Sequence, residues 1–256
     1  MAERVINFDH ASAAPILPEV LESMKPYFIE MFGNPSSVHN IGQQARQAIE
    51  QARKQVAKLI NASPGEIFFT SSGSESNNFA LKGVALAKRK KGNHIVISAI
   101  EHFSVLQSAK TLENLGYQVT LVPVDNTGLV DPDEVKKAIT DKTILVSVMH
   151  ANNEIGTIEP IEDIARITRE SEVLFHTDAC QSFTKVPIDL KKCNIDLLTI
   201  NSHKIYGPKG VGALLVRDGI DIMPLLHGGG HEFGIRSSTE NVPGIVGFAK
   251  ATDTIK

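Results

Sequence analysis

The stretch Ile195–Gly210, IDLLTINSHKIYGPKG, contains an apolar run that passes directly into a polar, glycine-rich sequence. The length and the aliphatic content of the apolar run are typical of a buried β-strand. Lys204 follows this strand, and the glycines and the proline after it predict a loop. The pattern therefore places an amine at the carboxyl end of a buried strand.

A second apolar run, Val173–Phe175, is followed by His176 and Thr177 and ends in a carboxylate, Asp178. An amine and an acid at the ends of two buried strands suit pyridoxal phosphate, which needs a lysine for its aldehyde and an acid for its ring nitrogen. Burial would favour the unprotonated amine that such a lysine needs. Two alternatives stay open on the residues alone. Lys204 could be a surface lysine in a loop, and Asp178 could be a helix cap or part of a structural ion pair.

Strand-like and helix-like patterns alternate through most of the chain. This rhythm predicts an α/β fold with a mainly parallel sheet and helices on both faces. The predicted strands are 66–70, 94–98, 118–122, 143–149, 173–177, 196–201 and 212–216. The predicted helices are 38–60, 75–90, 103–115, 132–139, 161–170 and one that begins near residue 242.

Polar side chains follow several of these strands, where ligands of parallel sheets bind. Residues 70–75, TSSGSE, offer hydroxyls, a glycine and free N–H groups at a helix start, which suits a phosphate. Ser72 and Glu75 also fit the S-x-x-E capping box, and both interpretations can hold together. His102 could stack on a planar cofactor or be structural. Asn152 and Asn153 could bond a ring substituent or a substrate carboxylate, or form a polar turn.

The composition narrows the class of protein. The 256 residues are 42% hydrophobic and 21% charged with a net charge of −3, which is ordinary for a soluble globular protein and predicts no nucleic-acid or membrane surface. The two cysteines, Cys180 and Cys193, form no framework and predict a reduced, cytoplasmic setting. The segment His227–His231, HGGGH, invites a metal interpretation, but its triple glycine and the lack of further ligands predict no metal site.

Several motifs, taken together and in order, cover essentially the whole chain. Their combination resembles the cysteine desulfurases of the NifS/IscS group, within the class V aminotransferases of fold type I. The matching stretches are Gly33–His39 (GNPSSVH), Glu101–His102 (EH), His150–Gly156 (HANNEIG), His176–Gln181 (HTDACQ), Ser202–Gly210 (SHKIYGPKG), His227–Glu232 (HGGGHE) and Arg236–Val242 (RSSTENV).

The resemblance implies a role for each matching site residue. Lys204 would bind the aldehyde of the cofactor and, with His102, move protons. Asp178 would pair with the pyridine nitrogen, and Gln181 would bond the ring hydroxyl. The remaining contacts would come from Gly73, Ser74, Asn201 and His203 for the phosphate, Thr239 for the phosphate of a partner subunit, and Asn153 for the substrate.

Two site positions depart from the usual family residues, and the cysteines do not match the acceptor. Asn201 stands where the family often has serine, and Ser74 where it often has threonine, but both replacements keep a hydrogen-bonding side chain. Cys180 aligns with a position that is not the sulfur acceptor, and Cys193 lies in a predicted surface segment. Both are expected to be ordinary free thiols.

The resemblance implies that residues 1–256 form the large, cofactor-binding domain of fold type I, with residues 1–20 extended and the small C-terminal domain absent. The implied enzyme is a homodimer. It converts L-cysteine to L-alanine and passes the sulfur, as an enzyme persulfide, to an iron–sulfur scaffold or another thio-cofactor pathway. In the family, the acceptor cysteine and a carboxylate-binding arginine lie beyond the position of residue 256, so this chain is expected to be incomplete for turnover. Alternatives are selenocysteine lyase or aminotransferase activity, or an inactive truncated partner subunit.

Overall fold

Seven strands form one sheet in the computed structural model, which describes residues 6–254. Their order across the sheet is β1-β7-β6-β5-β4-β2-β3. Strands β2, β3, β4, β5 and β6 run parallel to one another, whereas β7 is antiparallel to both β6 and β1. The strands are β1 (Ile67–Thr70), β2 (His94–Ser98), β3 (Gln118–Val122), β4 (Thr143–Ser147), β5 (Leu174–Asp178), β6 (Leu197–Asn201) and β7 (Gly212–Val216).

Nine α-helices lie within the described residues. The predicted bounds 94–98, 118–122, 161–170 and 212–216 agree with the structure, and the other predicted elements differ from the observed ones at their ends. The helices are α1 (Pro18–Met24), α2 (Pro26–Ile29), α3 (Asn40–Leu59), α4 (Gly73–Asn78), α5 (Val84–Ala87), α6 (Phe103–Asn114), α7 (Pro132–Ala138), α8 (Ile161–Glu170) and α9 (Val242–Thr254).

The two faces of the sheet bury separate apolar clusters. In β2, Ile95 and Ile97 belong to one cluster and Val96 to the other, because successive side chains of a strand point to opposite faces. Helices α3, α8 and α9 contribute to the cluster that contains Val96, and α5 and α6 contribute to the other. The predicted mainly parallel sheet with helices on both faces is confirmed.

The helix predicted over 75–90 is observed as one continuous helical segment, which begins two residues earlier, at Gly73, and ends at Ala87. Helix α4 passes through a π-helical segment, Phe79–Gly83, into α5, and the backbone stays right-handed helical at both junctions. The amino terminus of this continuous helical segment therefore lies at Gly73, directly after the turn that follows β1.

The amino-terminal part of the chain differs from the prediction. Helix α1 begins at Pro18, so the predicted extended segment 1–20 extends at most to residue 17, and its residues 1–5 lie outside the described residues. Both α1 and α2 have proline at the first helical position, a start signal that the sequence analysis missed. The segment before α1 contacts the Lys204 loop, because Ala14 N donates to His203 O at 3.0 Å.

Candidate active site

A cavity of about 300 Å³ lies where the carboxyl ends of the parallel strands meet. Lys204 follows β6 and Asp178 ends neighbouring β5, and both line this cavity. Parallel neighbours bring residues that are distant in sequence to one edge of the sheet. The predicted site residues that line the cavity are Gly73, Ser74, His102, Asn153, Asp178, Asn201, His203 and Lys204.

The structure does not place Gln181 and Thr239 on the wall of this cavity. Gln181 Nε2 donates to Ala11 O at 2.8 Å, and Ala11 is itself a lining residue. Thr239 lines a separate cavity of about 200 Å³, together with Arg236. The role predicted for Thr239 concerns a partner subunit, so it stays a prediction.

Asp178 is 5% exposed and is held by two donors. Asn77 Nδ2 donates to its Oδ2 at 2.6 Å, and the backbone N–H of Cys180 donates to its Oδ1 at 2.9 Å. These bonds satisfy one lone pair on each oxygen and fix the plane of the carboxylate. Sequence reasoning missed Asn77, because it lies on α4 and meets Asp178 only through the packing of α4 against the strand ends.

His102 is oriented by the helix that it caps. Its Nδ1 accepts a hydrogen bond from Ser104 N at 3.1 Å and lies 2.7 Å from Ser104 Oγ. An Nδ1 that accepts leaves the proton of a neutral imidazole on Nε2. Asn77 Nδ2 also donates to Ser104 Oγ at 2.8 Å, so hydrogen bonds connect Asp178 through Asn77 and Ser104 to His102.

The turn between β1 and α4 has the features of an anion site. Gly73 and Ser74 occupy the first positions of α4, where backbone N–H groups have no partner inside the helix. A Cβ at Gly73 would lie 2.5 Å from Cys180 Sγ, so the close approach of the chain here requires glycine. Asn201 faces Gly73, and its buried Oδ1 has no hydrogen-bond partner in the described residues.

The predicted capping box forms only in part. Ser72 Oγ accepts from Glu75 N at 3.1 Å, as the motif predicts. The Glu75 carboxylate, however, accepts from the backbone N–H of Ser71 at 2.8 Å instead of that of Ser72. An arginine distant in sequence, Arg236, binds the same carboxylate and explains its position.

The loop that carries Lys204 is fixed at several points. The backbone N–H groups of Ile205 and Gly207 both donate to Ser202 O, and Leu17 N donates to Tyr206 O. Tyr206 has φ of 61°, a left-handed conformation that is unusual for this residue type and that is found where the surroundings enforce it. The base of the Lys204 side chain is therefore held in place by backbone contacts.

Two neighbours of the cavity have shifted pKa values. The pKa of His203 is lowered, first by burial and then by the positive charges of Lys204 and Lys209. The pKa of Glu101 is raised to about 8, chiefly by burial and further by the negative charges of Asp178 and Glu159, although hydrogen bonds from Ser98 Oγ and Met149 N oppose the shift. Glu101 is therefore mostly protonated at neutral pH.

The Glu101→Gln variant should change how stability depends on pH. Because the pKa of Glu101 rises from 4.5 unfolded to about 8 folded, its contribution to the free energy of unfolding is present below pH 4.5 and is lost as pH rises through 8. Urea unfolding should show that the free energy of unfolding of the wild type falls between pH 6.5 and pH 8. This fall should be smaller in Glu101→Gln by about 1–2 kcal/mol. Equal losses in the two proteins would contradict the protonated state of Glu101.

A family model described as "Aminotransferase class-V" matches residues 6–256. The chain belongs to the class-V aminotransferase family. Within residues 6–254, no helix is both long enough and apolar enough to cross a bilayer.

Curated class-V relatives are similar along nearly the whole chain. "Cysteine desulfurase IscS" of Dictyoglomus turgidum is 52% identical over 251 residues, which are 98% of this chain and 64% of the relative. The protein of the same name from Methanosarcina thermophila is 52% identical over 250 residues, 98% of this chain and 62% of the relative. The chain thus spans less than two thirds of the length of these relatives.

Solved structures share the fold. The structure described as "SspA in complex with cysteine" has a TM-score of 0.96 at 44% identity and is matched over 98% of this chain and 73% of its own. A "NIFS-like protein" has a TM-score of 0.95 at 45% identity, over 97% of this chain and 68% of its own. These similarities show the fold-type I architecture that the motifs predicted.

Proposed function

We propose that this chain is the cofactor-binding part of a pyridoxal-phosphate-dependent cysteine desulfurase. The observation that carries the proposal is that Lys204 and Asp178, from neighbouring strands, line one cavity with a helix amino terminus at its wall. The names of the similar curated proteins support the choice of reaction. The bound cysteine in a solved relative supports L-cysteine as the substrate.

The polar and charged groups of the cavity suit pyridoxal phosphate. The start of α4 can hold the phosphate, and Asn201 Oδ1 is a buried acceptor with no partner among residues 6–254, which a donor group of the cofactor or a bound water would satisfy. Asp178 presents the acid and Lys204 the amine that the cofactor needs. When bound, pyridoxal phosphate supplies an aldehyde that captures amino groups and a ring that withdraws electrons.

The residues of the chain would then bind, orient and move protons. Asp178, whose carboxyl group is held by Asn77, would pair with the ring nitrogen. Lys204 Nζ would take up or return a proton inside the cavity, and His102 Nε2 can donate one into the same cavity. Asn153, which lines the cavity, would contact the substrate, and Gln181 would reach the ring hydroxyl after leaving Ala11 O.

Asp178→Asn should weaken cofactor binding without unfolding the chain. The neutral amide removes a charge-assisted bond to a protonated ring nitrogen, which typically contributes about 1.5–3 kcal/mol. We expect the Kd for pyridoxal phosphate, measured by fluorescence titration, to rise about 10- to 100-fold. Asp163→Asn, at the exposed ion pair with Arg166, is the matched control and should leave the Kd unchanged. Equal affinities for Asp178→Asn and the wild type would contradict the role of Asp178.

The sulfur acceptor must be a thiolate, and neither cysteine of the chain suits this role. The proposed reaction converts L-cysteine and a thiol into L-alanine and a persulfide. Cys180 and Cys193 are both buried. Burial, together with nearby negative charge, raises the pKa of Cys180 well above its usual value and that of Cys193 to about 11, so both stay protonated and unreactive at neutral pH. We infer that the acceptor thiol comes from outside these 256 residues.

Product analysis tests the proposed function. The chain loaded with pyridoxal phosphate is mixed with L-cysteine, with and without an added low-molecular-weight thiol, and alanine and sulfide are measured. Because L-cysteine itself carries a thiol that could accept the sulfur, it is supplied at a concentration below that of the chain. We expect a higher yield of alanine with the added thiol than without it, and D-cysteine serves as the negative control. Equal yields with and without the added thiol would contradict an acceptor from outside these 256 residues. Formation of a keto acid instead of alanine would indicate an aminotransferase, and activity restricted to selenocysteine would indicate a selenocysteine lyase. Either result would contradict the proposed reaction.

We also propose that the chain acts as a homodimer in the cytoplasm and delivers sulfur to an iron–sulfur scaffold or another acceptor protein. Large exposed apolar side chains in the first part of the chain support an association surface. Phe8 and Val38 are more than 90% exposed, and Ile29 is 79% exposed. Thr239 of one subunit would then reach the phosphate site of the other. Two free, buried cysteines are consistent with a reducing compartment.

A further inference from the structure

The first turn of α4 carries a negative charge close to the proposed phosphate site. Gly73 and Ser74 supply the free N–H groups, and Glu75 is the next residue of the same turn. The Glu75 carboxylate folds back toward the start of the helix, because Oε2 accepts from the backbone N–H of Ser71 at 2.8 Å and from Ser71 Oγ. Its side chain is 19% exposed, so solvent screens it only in part. An uncompensated carboxylate here would repel a phosphate dianion.

Arg236 forms a forked ion pair with this carboxylate. Its Nε donates to Glu75 Oε1 at 2.7 Å and its Nη2 donates to Oε2 at 3.2 Å. Burial acts to raise the pKa of Glu75, but the hydrogen bonds from Arg236 and Ser71 outweigh it and leave that pKa lowered. The carboxylate therefore stays ionised, and its charge is balanced by Arg236 alone among the described cations within 4 Å.

Arg236 acts from outside the cofactor cavity. It lines the separate cavity that contains Thr239 and is absent from the walls of the cavity that contains Lys204. Four residues earlier, Glu232 is fixed by a buried ion pair with Arg53, at 2.8 and 2.9 Å. The segment that delivers Arg236 to α4 is thus held in place independently of any ligand.

We propose that Arg236 is a positioning residue for phosphate binding, which neutralises and orients Glu75 so that the first turn of α4 accepts a phosphate dianion. This inference rests on the proposed function, in which the phosphate of the cofactor lies at Gly73 and Ser74. Arg236 then acts through Glu75 and makes no contact with the phosphate of its own cavity.

A double-mutant cycle that neutralises the two charges, measured with two ligands, tests the inference. Pyridoxal phosphate and pyridoxal, which lacks the phosphate, are titrated into the full chain and into Arg236→Gln, Glu75→Gln and the double variant. Arg236→Gln should weaken pyridoxal phosphate about tenfold or more and leave pyridoxal unchanged, because Glu75 becomes uncompensated. The double variant should recover the affinity for pyridoxal phosphate. Arg166→Gln, which removes an exposed ion pair, is the matched control and should change neither affinity.

The outcomes separate the inference from the proposed function. Equal losses in Arg236→Gln and the double variant, or equal losses for both ligands, would overturn the indirect role of Arg236. Glu75→Gln alone should bind pyridoxal phosphate at least as tightly as the wild type, since the amide oxygen can still accept from Ser71. Weaker binding of pyridoxal phosphate by Glu75→Gln would also overturn the inference. This measurement tests the inference even if Arg236→Gln does not fold. A wild-type chain that binds neither ligand would overturn the proposed function as well.

Discussion

Lys204→Ala is expected to remove the visible absorbance band that pyridoxal phosphate shows when it is joined covalently to the chain. The band requires a covalent bond to a lysine, because the free aldehyde absorbs at shorter wavelength, and Lys204 lies on the cavity wall. With an added thiol, turnover of L-cysteine should fall about 10²–10⁴-fold, the usual contribution of a positioned proton-transfer group. Absorbance spectroscopy and alanine release measure the two effects.

The loop offers a matched control for this prediction. Lys209 lies five residues further along the same loop and does not line the cavity. Lys209→Ala should therefore keep the absorbance and the activity of the wild type. A normal visible band in Lys204→Ala, or its loss in Lys209→Ala, would contradict the assignment.

Glu232→Ala should lower the free energy of unfolding by about 3–5 kcal/mol, because it leaves a buried guanidinium with only the longer, partly exposed contact of its Nε to Glu50, at 3.3 Å. Arg53 is 2% exposed and binds Glu232 through both terminal nitrogens, and Nη1 also donates to Ile67 O. Its guanidinium lies 5.0 Å from the ring centroid of Phe69 and 4.9 Å from that of Phe233. Urea unfolding monitored by circular dichroism measures the loss.

A double variant separates charge from packing at this site. Arg53→Met combined with Glu232→Met replaces the ion pair by apolar groups and should recover part of the stability lost in Glu232→Ala, because the backbone groups Ile67 O and Phe69 N still lose their partners. Glu113→Ala removes an exposed ion pair with Lys110 and should cost no more than about 0.5 kcal/mol. A Glu232→Ala variant as stable as Glu113→Ala would show that the buried pair contributes little.

Local sequence patterns were sufficient for the sheet and for much of the cavity. A strand such as β2 is buried throughout and has a β-branched apolar centre, Ile95–Ile97, which predicts a strand. Because strands β2 to β6 are parallel, residues that follow them in sequence meet at one edge of the sheet. Lys204 and Asp178 were therefore brought to one cavity as predicted.

Contacts between distant segments could not be predicted in this way. Asn77 has no motif around it, and its bond to Asp178 joins residues that are 101 positions apart. Arg53 and Glu232 are 179 positions apart and meet only after α3 has packed on the sheet. The capping box was predicted in full because the pattern of Ser72 and Glu75 carries no information about Arg236, which binds Glu75.

The claim that Lys204 captures the aldehyde of pyridoxal phosphate is tested most directly by chemical trapping. The chain is incubated with the cofactor, reduced with borohydride, digested and mapped by mass spectrometry. The structure predicts a single stoichiometric label on the peptide that contains Lys204, with Lys209 unmodified. A label on another lysine, or a substoichiometric label spread over surface lysines, would contradict it.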